Sequence, residues 1–137
     1  MSQSVSASAL RVGVEQFVVT ASSNHAIVVD SDRKRNTASG PMELVLMGLC
    51  ACTATDIDII LRKKREPFTS LEVRAEAERA KDPPQVYTAI KLVFTVGGKV
   101  TKKAVEDAVH LSEEKYCSVS AMLAKTAKIT TEIVYVP

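Results

Sequence analysis

The sequence predicts a segregated α+β fold in which antiparallel sheets surround a long central helix. Three observations carry the prediction. The stretch PMELVLMGLCACTATDIDIILRKKREP (41–67) is uninterrupted helix-compatible sequence, strict two-residue alternation begins at Leu71, and two short helical patterns precede a β-branched tail, ITTEIVYVP. At 137 residues, with 46% hydrophobic and 25% charged content, the chain has the size and composition of one domain, residues 1–137, with a real core.

The elements follow in order. LRVGVEQFVVTA (10–21) and AIVVD (26–30) are β-branched runs separated by SSNH, a pattern of two strands joined by a turn. The N-terminal MSQSVSASALRVGVEQ lacks a basic segment followed by an apolar run, so it does not read as a secretory signal, and its start is expected to be loosely ordered. SDRKRNTASG (31–40) is a polar connection that carries Arg33 and Arg35.

Gly40-Pro41 with Glu43 forms a helix entrance, because proline suits the first helical position and a carboxylate in the first turn meets the positive end of the dipole. Arg62, Lys63, Lys64 and Arg65 suit the negative end, and Pro67 prevents continuation. Such a helix of about 25 residues is about 37 Å long. Its apolar residues, among them Leu44, Met47, Leu49, Ile57, Ile59 and Leu61, fall on several faces, so the helix must be surrounded. Asp56 and Asp58 each cost roughly 2.5–3.5 kcal/mol at a bilayer centre, so a buried helix is favoured over a membrane span. One chain has too little sheet to wrap it, and a second copy in a symmetric dimer supplies the rest.

Leu71, Val73, Ala75 and Ala77 then alternate with Glu72, Arg74, Glu76 and Glu78, and Ile90, Leu92, Phe94 and Val96 resume the pattern after a proline break. Together they predict an antiparallel pair. Thr101 caps a helix with the stripe Ala104, Val105, Ala108, Val109 and Ser112, and Ser118 caps another with Val119, Met122, Leu123 and Thr126 inward. The tail is a final strand.

Lys and Arg outnumber Asp and Glu by only 18 to 16, with few aromatics and no basic stripe, so nucleic acid is not an expected partner. Three cysteines, at 50, 52 and 117, do not make a secreted disulfide framework and fit a reducing, cytoplasmic setting. Cys50 lies about 200° round a helix from Cys52, so the two do not share a site, and it reads as core. The same geometry excludes a metal site from that pair, and neither His25 nor His110 stands at a helpful spacing.

GPMELVLMGLCACTATD (40–56) and LSEEKYCSVSAML (111–123), in this order and within this succession of elements, resemble the OsmC/Ohr superfamily of osmotically inducible and organic-hydroperoxide-resistance proteins, in particular its short YhfA-type branch. The resemblance implies an OsmC-like fold, an intertwined homodimer whose sheets enclose two long helices, with active sites at the subunit interface. It further implies a thiol-dependent peroxidase in which Cys52 attacks a hydroperoxide and becomes a sulfenic acid, and Cys117 condenses with it to a disulfide reduced by an external dithiol or other thiol. No metal or prosthetic group is implied. In the family's peroxidases a glutamate directly after the proline pairs with an arginine from the preceding loop and aims it at the reactive thiol. Here that position is Met42 and Glu43 matches only the following one, so the relay is missing or rebuilt; Arg33 or Arg35 is the candidate to approach Cys52 from the loop, and Glu43 reads mainly as a helix-start residue facing the dipole.

Cys52 lies about three turns into its helix, beyond the reach of that helix's own dipole. Its activation calls for a cation or another helix start, for which the helix at Ser118 is the candidate. Asp56, one turn on, would oppose thiolate formation if it faced the site, and is read as structural. A different class of function, a non-catalytic dimer that binds a small apolar molecule or senses redox state, is motivated by Met42.

Overall fold

The computed structural model describes residues 3–137, in two compact units, one ending at Val45 and one spanning Leu46–Pro137. The first unit is a three-stranded antiparallel sheet of β1 (Ala7–Gly13), β2 (Gln16–Ala21) and β3 (Ala26–Asp30), in that order. The run expected to form one strand over 10–21 is thus two strands. Gly13 pairs with Gln16 across Val14-Glu15, and Glu15 takes φ 55°, the left-handed conformation a two-residue hairpin loop demands. Strand β1 starts inside the segment expected to be loosely ordered; Met1 and Ser2 lie outside the described residues.

Helix α1 (Pro41–Lys63) has 23 residues. Leu49, Thr53, Ile57 and Leu61 are fully buried, a single stripe at four-residue spacing, and each apolar member contributes about 1.5–3 kcal/mol on leaving water. The expected enclosure on all sides is not achieved by one chain: Val45, Met47 and Ile59 remain 39%, 53% and 37% exposed. By length and composition α1 could cross a bilayer. Its buried stripe and the bonds of its two acids, Asp56 to Ser112 and Asp58 to Arg62, match instead a helix packed on its own chain.

The second sheet has the order β4 (Phe68–Arg79), β5 (Tyr87–Gly98) and β6 (Lys128–Val136). Strands β4 and β5 pair antiparallel as predicted, and Ile90, Leu92, Phe94 and Val96 form the fully buried face. The sheets are not wholly antiparallel, because β6 pairs parallel to β5. The segment between those two strands contains α2 (Lys102–Leu111), a π-helical turn (Ser112–Tyr116) and α3 (Ser118–Leu123), the crossover that a parallel neighbour requires.

Helix α2 buries its predicted stripe; Thr101 stands at its N-cap position, but its hydroxyl makes no cap hydrogen bond, and its amide donates to Glu66 Oε1 at 2.6 Å. Helix α3 departs from expectation three times, the first being that Thr126, expected inward on it, is exposed in the turn beyond its end. Its N-cap is Cys117, not Ser118, and Met122 is 66% exposed, not inward, because only six residues are helical and Ser120 takes the buried position.

Candidate active site

The second unit brings together two thiols from opposite ends of its sequence. Cys52 is half-buried on α1, and Cys117, only 2% exposed, occupies the extended residue between the π-helical turn and α3. Their sulfurs and a carboxylate oxygen of Asp56 all lie within 4.8 Å of one another. Cys52 and Asp56 are one helical turn apart and therefore share a face of α1. Asp56, whose facing the sequence left conditional, thus faces the site. Its Oδ2 accepts a 2.9 Å hydrogen bond from Ser112 Oγ, which holds the carboxylate beside the thiols.

The π-helical turn explains how Cys117 reaches this place. After α2 the backbone widens, the Cys117 amide donates to the Ser112 carbonyl at 2.9 Å, and Cys117 leaves helical geometry at φ −79°, ψ 103°. Ser112 thus fixes both the turn, through its carbonyl, and Asp56, through its hydroxyl. The amide of Ser120, in the first turn of α3, donates to Cys117 Sγ at 3.3 Å. The helix start expected to serve Cys52 therefore contacts Cys117. That contact does not make Cys117 acidic: burial first, then the hydrogen bond it shares with Cys52, push its thiol up to about 12.

Cys50 is half-buried beside the Ala75 backbone, and burial raises its thiol as well, consistent with a core role. Next to the cluster lies a cavity of about 500 Å³ that shares Asp56 with it and is walled by Ile59, Ile60, Leu111 and Tyr116, with Lys63 and Lys64 also on its lining.

The loop residues singled out from sequence lie in the first unit. Arg33 Nη1 pairs with Glu43 Oε1 at 3.0 Å, and the same oxygen accepts the Gly40 amide at 2.9 Å. Glu43 therefore closes the start of α1 and pairs with Arg33. Both partners of the pair are at least half exposed, so its contribution to stability is small. Arg33 also donates to the backbone carbonyls of Asp30 and Ala38. Arg35 does something else: its Nη2 and Nε grip the fully buried Asp30 carboxylate at 2.8 and 3.0 Å. Thr37 donates to that carboxylate through both amide and hydroxyl, and the Arg35 guanidinium, then Thr37, hold Asp30 well below the usual carboxylate range. Asp30, not noted in the sequence, is the organiser of this loop, and its place at the end of a β-branched run before a polar segment was the available signal.

Residues 33–132 match the family described as OsmC-like protein. The chain belongs to the OsmC-like family. It is 42% identical to the protein YhfA of Escherichia coli K12 over 115 residues, covering 83% of this chain and 85% of that one. The crystal structure of a hypothetical protein from Aquifex aeolicus VF5 superposes with a TM-score of 0.85 at 29% identity, covering 99% of this chain and 100% of the other. An organic hydroperoxide resistance protein from Elizabethkingia anophelis shares the fold, with a TM-score of 0.74 at 14% identity over 99% of each chain. Membership of this family places the α+β architecture and its two three-stranded sheets among OsmC-like proteins of the YhfA type.

Proposed function

We propose that the protein is a thiol-dependent hydroperoxide reductase that takes organic, and also smaller, hydroperoxides, in oxidative-stress defence. The observation that carries this reading is the approach of two free thiols, 65 positions apart in sequence, to within 4.8 Å beside a carboxylate. The Cys52 sulfur attacks the terminal peroxide oxygen; an S–O bond forms, the O–O bond breaks, and the alkoxide leaves as alcohol with the proton given up by the Cys52 thiol. The Cys117 sulfur then displaces the hydroxyl of the Cys52 sulfenic acid, giving a disulfide and water. An external dithiol or other thiol reductant restores both thiols by exchange.

Cys117 has to lose its proton in the second step, and burial opposes that loss. Asp56, oriented by Ser112, is the base within the cluster that receives it and passes it to the departing hydroxyl, which leaves as water. The apolar walls of the adjoining cavity favour an organic peroxide over hydrogen peroxide. The working form is a cytoplasmic homodimer in which a second copy covers the exposed apolar residues of α1, with the active sites at the interface. Family membership supports this form, as do the exposed Val45, Met47 and Ile59.

With an organic hydroperoxide and a dithiol, the wild type turns over repeatedly and Cys52→Ser does not. Full turnover by the serine variant would refute the mechanism. The same cavity would suit the other reading, a small-molecule binder or thiol redox sensor. In that case peroxide oxidises the wild type once, without multiple turnovers.

A further inference from the structure

The cluster of Cys52, Cys117 and Asp56 has a second chemical capability, that of a metal-ligand set. Two sulfurs and one carboxylate oxygen lie mutually within 4.8 Å. Around tetrahedral zinc, sulfurs bound at about 2.3 Å stand roughly 3.8 Å apart, so side-chain rotation of about an ångström closes the set. Thiolate with carboxylate suits zinc and its thiophilic relatives and not magnesium or calcium.

Two further features fit a cation. Among the described residues, no Lys or Arg forms an ion pair with Asp56, whose bonded partner is the neutral hydroxyl of Ser112. Lys63 and Lys64 line the adjoining cavity with it, and Lys64 pairs with Asp107 instead. That Ser112 bond also has the form of an outer-shell contact, a donor that fixes the orientation of a ligating oxygen. Cys52 and Asp56 are only half-buried, which leaves a route for an ion and a fourth position for water.

We propose that the reduced protein binds one thiophilic divalent cation, zinc by preference, through Cys52 Sγ, Cys117 Sγ and an Asp56 oxygen, in competition with peroxide for the same sulfurs. Two thiols and one carboxylate take up one M²⁺ and release two protons, leaving a site of net charge −1. Occupancy protects the thiols from oxidation. Conversely, conversion of the pair to a disulfide removes two of three ligands and expels the ion. The site shares its sulfurs with the proposed peroxidase, but ligation needs no turnover.

The test is titration of the metal-stripped, reduced full-length protein with Co²⁺ under inert gas, followed by displacement with Zn²⁺. One equivalent of cobalt per chain is expected, with thiolate-to-cobalt charge-transfer absorption and the visible bands of a tetrahedral centre. Cys50→Ser leaves the spectrum unchanged, Cys117→Ser removes the two-thiolate signature, and Asp56→Asn weakens binding by at least about tenfold. The wild type in its disulfide form, whose fold is checked by circular dichroism, does not bind. Absence of the charge-transfer band in the reduced wild type would overturn the proposal. So would its survival at full intensity in Cys117→Ser or its loss in Cys50→Ser. Cobalt binding by a chain that fails to turn over hydroperoxide would reject the peroxidase and keep the metal site, and turnover without cobalt binding would do the reverse.

Discussion

The thiol of Cys117 shows how one residue's surroundings set its chemistry. Burial dominates: with 2% exposure the charged form is disfavoured, and a single amide from α3 offsets only part of the cost. A thiol raised in the folded state and ordinary in the unfolded state ties stability to pH. Below the ordinary value of 9.0 both states hold the proton and its contribution is fully present. As pH rises towards about 12 the unfolded chain ionises first, so that contribution is lost. Denaturant midpoints of the reduced protein between pH 9 and 11 should therefore fall more steeply for the wild type than for Cys117→Ala. Equal slopes would mean that the thiol is not held protonated. Asp56 belongs to the same scale. Its position at i+4 from Cys52 made a shared face legible, yet its charge was taken as a reason to exclude it from the site; the Ser112 hydroxyl, which no local pattern links to residue 56, is what holds it there.

Among the elements, those whose patterns are local were legible and those set by long-range pairing were not. The alternation of β4 and β5 and the stripe of α2 read directly from sequence because each residue's facing follows from its own element. The parallel seat of β6 did not, since a nine-residue strand carries no mark of its partner's direction. The π-helical turn was equally hidden: SEEKY continues a helical pattern, and only the Cys117 amide bonding to Ser112 shows the register change that places the thiol. Ser112 should thus support the site through its side chain as well as the backbone. Ser112→Ala is expected to slow disulfide formation from the Cys52 sulfenate by about three- to tenfold, the loss of about 1 kcal/mol of positioning. Cys52 oxidation by peroxide should be unchanged. Stopped-flow measurement of the two phases separates these effects, and a slowed first phase would place Ser112 elsewhere in the mechanism.

At the scale of the whole molecule, the exposed apolar surface of α1 calls for a cover. A helix with one buried stripe and 37–53% exposure at Val45, Met47 and Ile59 carries more apolar surface than its own chain accounts for. Sedimentation should give twice the 14.8 kDa chain mass, and Met47→Glu should shift the protein towards monomer while leaving its circular dichroism intact. A wild type that sediments as monomer at micromolar concentration would contradict the dimer. The chemistry nevertheless rests on the partnership of two sulfurs, which peptide mapping can read. After one equivalent of organic hydroperoxide is added to the reduced protein, mass spectrometry should find the peptide holding Cys52 joined to the one holding Cys117, with Cys50 still alkylatable. A linkage through Cys50, or two thiols left free beside an over-oxidised Cys52, would contradict it.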